Sequence, residues 1–231
     1  GMLCTELARL INPDPTLNIT QIPAMAGMAD RTDNPEVMKK YIEHAAKKGY
    51  SEKVLMEIAS VIDFVSSKLR FMEAREYIEV LFGEPMEKQN ALVGLLAPHI
   101  NKLEAKGLEI AKSAVNSEVI NGITLQKIMI EETFPRGFYP KTGRITSMLH
   151  DSAQEKLDKV ITIGILTDAI TIRASDKANF SVQDLIDYIN KESPEAFVEG
   201  GGHKNAGSIR FIPVKRQKVL ENFESYIKSL K

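Results

Sequence analysis

The sequence predicts an α/β protein in two parts: a helical amino-terminal region, then an α/β domain built on a mixed sheet. Apolar residues recur at helical spacing as far as about residue 115. Beyond that point the period changes, and short β-rich runs alternate with helical stretches. Three consecutive glycines, Gly200, Gly201 and Gly202, then interrupt the pattern just before a strand-like run. A length of 231 residues suits one large domain or two small ones.

In the helical part, Leu3 to Leu10 reads as helix with no Ser, Thr, Asp or Asn to cap it, and Asn12, Pro13, Asp14 and Pro15 break it. Asn34 caps a helix opened by Pro35 and Glu36 and closed by Gly49. Ser51 opens the next, where Val54, Leu55, Ile58, Val61, Ile62 and Val65 share a face. A further helix runs from Phe71 to Phe82 and stops at Gly83, and a long one from Met86 to about Val115 is expected to bend at Pro98.

In the second part, Ile123, Leu125, Ile128 and Ile130 suggest strands, and Ile145, Met148, Leu149, Ala153 and Leu157 return to helical spacing. Val160–Leu166 and Ala169–Arg173 read as two strands around a Thr167-Asp168 turn. Ser181 and Asp184 open a helix with Val182, Leu185, Ile186 and Ile189 on one face. Ser208–Ile212 reads as a strand. A closing helix buries Val219, Leu220, Phe223, Tyr226, Ile227 and Leu230, with Lys215, Arg216 and Lys218 on its wet face.

Composition narrows the function classes. Thirty basic residues against 31 acidic ones leave a net charge of -1, so binding to nucleic acid requires a local patch. Cys4 is the only cysteine, which excludes an internal disulfide and points to a reducing, cytoplasmic compartment. No apolar run is long enough to span a membrane, and no signal peptide is visible. Gly1 before Met2 reads as a cleavage scar. With the uncapped first helix, it predicts the carboxy-terminal part of a longer protein.

Each glycine of the run costs conformational entropy in a helix or a sheet, so the run predicts a bare turn or a backbone closing on a ligand. Successive amides at side-chain-less positions can cradle an oxyanion, and His203 follows directly. Asn205, Ala206 and Gly207 keep the facing wall small. Spacing alone leaves turn and cradle open. Arg173 reads either as a solvated strand end or as a phosphate clamp. Tyr139 to Arg144 leads into a helix, where Lys141 and Arg144 beside free amides either favour a phosphate or decorate a turn.

The string "GGGHKNAG", with "IRAS" about thirty residues earlier, resembles the DHH-associated domain of DHH-family phosphoesterases. That family includes RecJ-like single-strand exonucleases, oligoribonucleases and cyclic-dinucleotide phosphodiesterases. The resemblance implies that Gly201, Gly202, His203, Arg173 and Ser175 bind substrate; Gly200 and Asn205 belong to the same loop as candidates, and Lys141 and Arg144 at the helix start would extend the path. "IPAMAGMADRTD", residues 22 to 33, is similar to the fourth motif of the catalytic DHH domain, a strand-like stretch ending in Ala-Asp. It implies that Asp30 ligates a divalent metal, manganese in most of the family. The implied organisation is the tail of a DHH domain over residues 1–34, a helical connector over 35–115 and a DHH-associated domain over 116–231.

The sequence carries no Asp-His-His triplet and no Asp-x-Asp pair, which two-metal phosphoester hydrolysis would need around ions about 3.5–4 Å apart. His44 and His99 sit on helical patterns, and the side chains of His150 and Asp151 diverge. The expected function is therefore substrate binding within a metal-dependent phosphoesterase or exonuclease. Single-stranded nucleic acid or a nucleotide phosphate would be the partner, and the metals would be held by an amino-terminal DHH domain outside this chain. This chain alone would hold no cofactor. The alternatives are a non-catalytic replication scaffold of the RecJ-like type, or a tRNA-binding module as in alanyl-tRNA synthetase.

Overall fold

The structure is a computed structural model describing residues 2–12, 19, 21–30 and 35–230; Pro13–Pro15, the motif residues 31–33 and Asn34 lie outside them. The chain forms two compact units, Gly1–Leu103 and Glu104–Lys231. As predicted, a helical region precedes a mixed-sheet α/β region. Among the described residues no helix is long and apolar enough to cross a membrane.

The first unit contains α1 (Met2–Ile11), α2 (Ile22–Ala29), α3 (Pro35–Lys47), α4 (Glu52–Lys68), α5 (Phe71–Gly83) and most of α6 (Met86–Ala114). Helix α2 packs against α1, α3 and α4, and α4 buries Leu55, Ile58, Val61 and Val65 along one stripe. The Ser51 hydroxyl accepts from the Val54 amide at 3.3 Å, the cap expected there. Two buried polar groups satisfy one another where Tyr50 Oη donates to Gln89 Oε1 at 3.0 Å. His99 meets the ring of Phe64 edge-on, a packing role. Helix α6 continues through Pro98.

One expectation fails in this unit. Residues 22–29 form a helix, whereas the motif resemblance implied a strand. The reason is local: Pro23 stands at the first turn, where its missing N–H costs nothing, and the alanines and methionines that follow favour helix. Asp30 caps the carboxy end of α2, its amide bonded to the Ala26 carbonyl at 3.0 Å.

The second unit is a six-stranded sheet with β1 (Asn116–Ile120), β2 (Ile123–Met129), β3 (Val160–Ile165), β4 (Ala169–Ala174), β5 (Glu199–His203) and β6 (Ala206–Arg210). The spatial order is β1-β2-β3-β4-β6-β5. Only β2 and β3 run parallel, and α7 (Ile130–Thr133) and α8 (Thr142–Gln154) lie in the connection between them. One sheet face carries Ile161, Ile163, Ile170, Ile172 and Ile209 into the main core. There they meet α9 (Val182–Glu192) and α10 (Arg216–Ser229) around Phe180 and Phe223. The other face holds α8, which approaches so closely that a Cβ at Gly164 would lie 2.4 Å from Thr146 Oγ1.

Several boundaries differ from expectation. Ile130 starts α7 instead of extending β2, and Leu157 lies beyond α8. The last strand ends at Arg210 instead of Ile212. The largest correction concerns the glycine run, whose entropic cost predicts a turn or a ligand cradle outside any sheet. Gly200–Gly202 form part of β5, the edge strand, joined to β6 by the two-residue turn Lys204-Asn205. The two backbones lie so close that a Cβ at Gly200 would sit 2.2 Å from the Ser208 carbonyl oxygen, and one at Gly202 2.3 Å from that of Ala206. At Gly200 and Gly202 only a residue without a side chain fits, which is why the run stands in a strand despite its entropic cost.

Candidate substrate-binding face

Register places the predicted residues. Arg173 on β4 lies opposite Ala206 on β6, and Ala206 lies opposite His203 on β5. Residues directly opposite in a sheet share a face, so Arg173 and His203 stand on one side, two strands or roughly 10 Å apart. Arg173 reaches α8, which identifies this as the α8 side of the sheet. The next row along the strands is Thr171, Ser208 and Gly201, and the row after it Ala169, Arg210 and Glu199.

Here the face has a floor of small side chains. Ser208, His203 and Arg210 are exposed, and a Cβ at Gly201 would meet nothing within 4 Å. Gly201 is thus the one glycine of the run that opens the face; Gly200 and Gly202 allow the strand pairing beneath it. The turn at the end of the hairpin is anchored from behind. The amides of Ala174 and Val182 donate to the carbonyls of Asn205 and Lys204 at 2.8 and 2.9 Å. Asn205 also donates through Nδ2 to the Asp176 carboxylate.

Arg173 is fixed at two nitrogens. Its Nε donates to Ser147 Oγ at 2.9 Å and its Nη1 to the Ile172 carbonyl at 2.7 Å. Ser175 is buried, and its Oγ accepts from the Val160 amide at 3.0 Å, so its hydroxyl braces β3. Arg144 turns Nε and Nη2 to the two oxygens of Glu104 at 2.8 and 2.9 Å. Those hydrogen bonds hold its pKa above the ordinary arginine value against the opposing effect of burial. Lys141 precedes the first turn of α8 and lines a cleft of about 480 Å³ with Arg136, Phe138 and Thr142.

Sequence reading missed the residues that support this face. Ser147 carried no signal beyond helical spacing. His150 is buried, with Nδ1 3.1 Å from Thr162 Oγ1, and Thr162 in turn donates to Gln126 Oε1 at 3.0 Å. Thr162 is the cross-strand neighbour of Arg173, so a polar row runs over the sheet beneath α8. Its only trace in the sequence is a polar residue within each of three apolar strands.

Among the described residues no three His, Cys, Asp or Glu side chains converge to hold a metal. The donors described here therefore do not by themselves fit a metal centre, and Asp30 belongs to no such cluster.

The fold is that of the DHH-domain proteins, RecJ among them. The PF0399 DHH domain, described as a member of a family of ribosomal proteins, superposes with a TM-score of 0.88 at 36% identity, over 99% of this chain and 54% of that one. RecJ from Thermus thermophilus, solved with Mg2+, gives 0.61 at 17% identity over 97% and 36%. The uncharacterized protein MJ1198 of Methanocaldococcus jannaschii is 30% identical over all of this chain and 33% of its own length. The chain thus spans about a third of that curated relative and about half of the PF0399 chain. No family model matches it.

Proposed function

We propose that the β4–β6–β5 face binds the phosphate chain of a single-stranded nucleic acid or nucleotide, as the substrate-binding part of a DHH-type metal-dependent phosphoesterase. The observation that carries this reading is the row Arg173–Ala206–His203 on an open floor of Gly201 and Ser208. A guanidinium and an imidazole flanking small residues admit a backbone phosphate and contact it by charge-assisted hydrogen bonds. The three strands carry no Phe, Tyr or Trp for base stacking, so the contacts would be blind to sequence.

In this reading the Gly200–Gly202 edge strand supplies those amides that point away from β6, while Ser175 and Asn205 hold the strand end and the turn in shape. Lys141 offers a second anion contact. Arg144 contributes only where a phosphate displaces Glu104, so its main part is to fix α8. Asp30 lies at the negative end of the α2 dipole, where a carboxylate favours a cation, and we assign it one ligand position of a divalent ion. The likeness to a DHH domain described within a ribosomal-protein family supports a nucleic acid as the ligand.

The test is equilibrium binding of a single-stranded oligonucleotide. Arg173→Ala and His203→Ala should each weaken it by about 1–3 kcal/mol, the value of a charge-assisted contact. Unchanged affinity in both variants contradicts the reading.

A further inference from the structure

Ser147 lies on α8, which packs on the sheet face that carries Arg173, and it is buried. A buried hydroxyl in mid-helix is unfavourable for the helix, and alanine at the same place would be the better helix former. Its single proton is committed, because Oγ donates to the Gly143 carbonyl at 2.9 Å. The lone pairs are thereby turned outward, and one of them accepts Nε–H of Arg173 at 2.9 Å. The direction of both bonds follows from chemistry: guanidinium nitrogens only donate, and a peptide carbonyl only accepts.

The same helix shows what a different partner would do. Arg144, three residues earlier, is held through its Nε and Nη2 by the carboxylate of Glu104, an arrangement that neutralises the cation as it orients it. Ser147 and the Ile172 carbonyl orient Arg173 at two nitrogens through neutral acceptors. Two such contacts fix the plane of a guanidinium, and a fixed plane is what two-point recognition of a phosphate requires.

Resting on the phosphate-binding reading above, we infer that Ser147 is a positioning residue: its hydroxyl, aimed by the Gly143 carbonyl, sets the guanidinium plane of Arg173 before a ligand arrives. An arginine held in this way loses less rotamer freedom on binding, so the gain appears as affinity. The residue itself touches no ligand.

The experiment is a cycle of full-chain variants binding a 5′-phosphorylated single-stranded oligothymidylate. Ser147→Ala should weaken binding by about three- to tenfold, the net worth of one ordinary hydrogen bond, because the hydroxyl acts through Arg173 and not on the ligand. Ser147→Thr, which keeps the hydroxyl, should restore affinity to within about twofold of the wild type, because the bond to Arg173 is retained. In the Arg173→Ala background, Ser147→Ala should have no further effect. The Arg173 Nε–H signal in NMR gives a reading independent of affinity: it should be slowly exchanging in the wild type and averaged with solvent in Ser147→Ala.

Wild-type binding by Ser147→Ala alongside weak binding by Arg173→Ala overturns the positioning role and leaves the phosphate reading standing. A full loss from Ser147→Ala in the Arg173→Ala background also overturns it, because the hydroxyl would then act by another route. No loss from Arg173→Ala overturns both.

Discussion

At Gly202 the backbone takes a φ of +142°, a region open to glycine and strained for other residues. Gly202→Ala should therefore destabilise the protein by about 1–3 kcal/mol, read as a fall in the urea midpoint. Gly201→Ala adds a methyl into open space and should leave stability within about 0.5 kcal/mol. Equal effects of the two would contradict the division of labour within the run. The sequence shows that three glycines in a row need a reason, and it shows the histidine beside them. It does not show the reason, because propensity counts the entropy a glycine loses and is silent on how near the next strand comes. Ser147 was invisible for a related cause: its partner Arg173 lies 26 residues away and its partner Gly143 lies within its own helix.

Elements were legible where short-range chemistry decides them. Ser181 accepts from the Asp184 amide at 3.2 Å, and α9 buries Val182, Leu185, Ile186 and Ile189 as their spacing indicates. Ser181→Ala should cost about 1 kcal/mol of stability in thermal unfolding. The failures also have causes. Strand β1 is an edge strand with Ile120 as its only buried residue, so it shows no alternation, although Asn121-Gly122 supplies the positive-φ turn that closes its hairpin. Helix α2 is short and nearly all apolar, a pattern that periodicity cannot separate from a buried strand.

The β1–β2 hairpin is tied to α10 by Lys127, which pairs with Glu118 and Glu224. Burial pulls the Lys127 pKa down, but the hydrogen bonds to the two carboxylates outweigh it and raise it above the ordinary value. A lysine raised on folding stabilises fully below its unfolded pKa of about 10.4, and that stability is lost as pH rises through the folded value. Unfolding free energy should thus fall more steeply above about pH 10 in the wild type than in Lys127→Gln. Parallel curves would remove the tie.

For the whole molecule, a net charge of -1 gives no global attraction to a polyanion, so affinity must come from a few local contacts. Oligonucleotide binding should show a shallow salt dependence. Arg173→Ala should flatten its logarithmic slope by about 0.7, the value of one single-strand phosphate contact. The division into a helical and a sheet-bearing part was readable from the change in hydrophobic period alone. The polar face was only half readable. Arg173 and His203 lie far apart in sequence, and only the strand order β4-β6-β5 brings them into one row.

The most direct measurement is amide chemical-shift mapping of the full chain titrated with a single-stranded oligonucleotide. Binding on the open sheet face predicts the largest shifts at Arg173, Gly201, Gly202, His203 and Ser208, with the α9–α10 side of the sheet unmoved. Saturable shifts confined to other surfaces, with these five residues silent, would contradict the account.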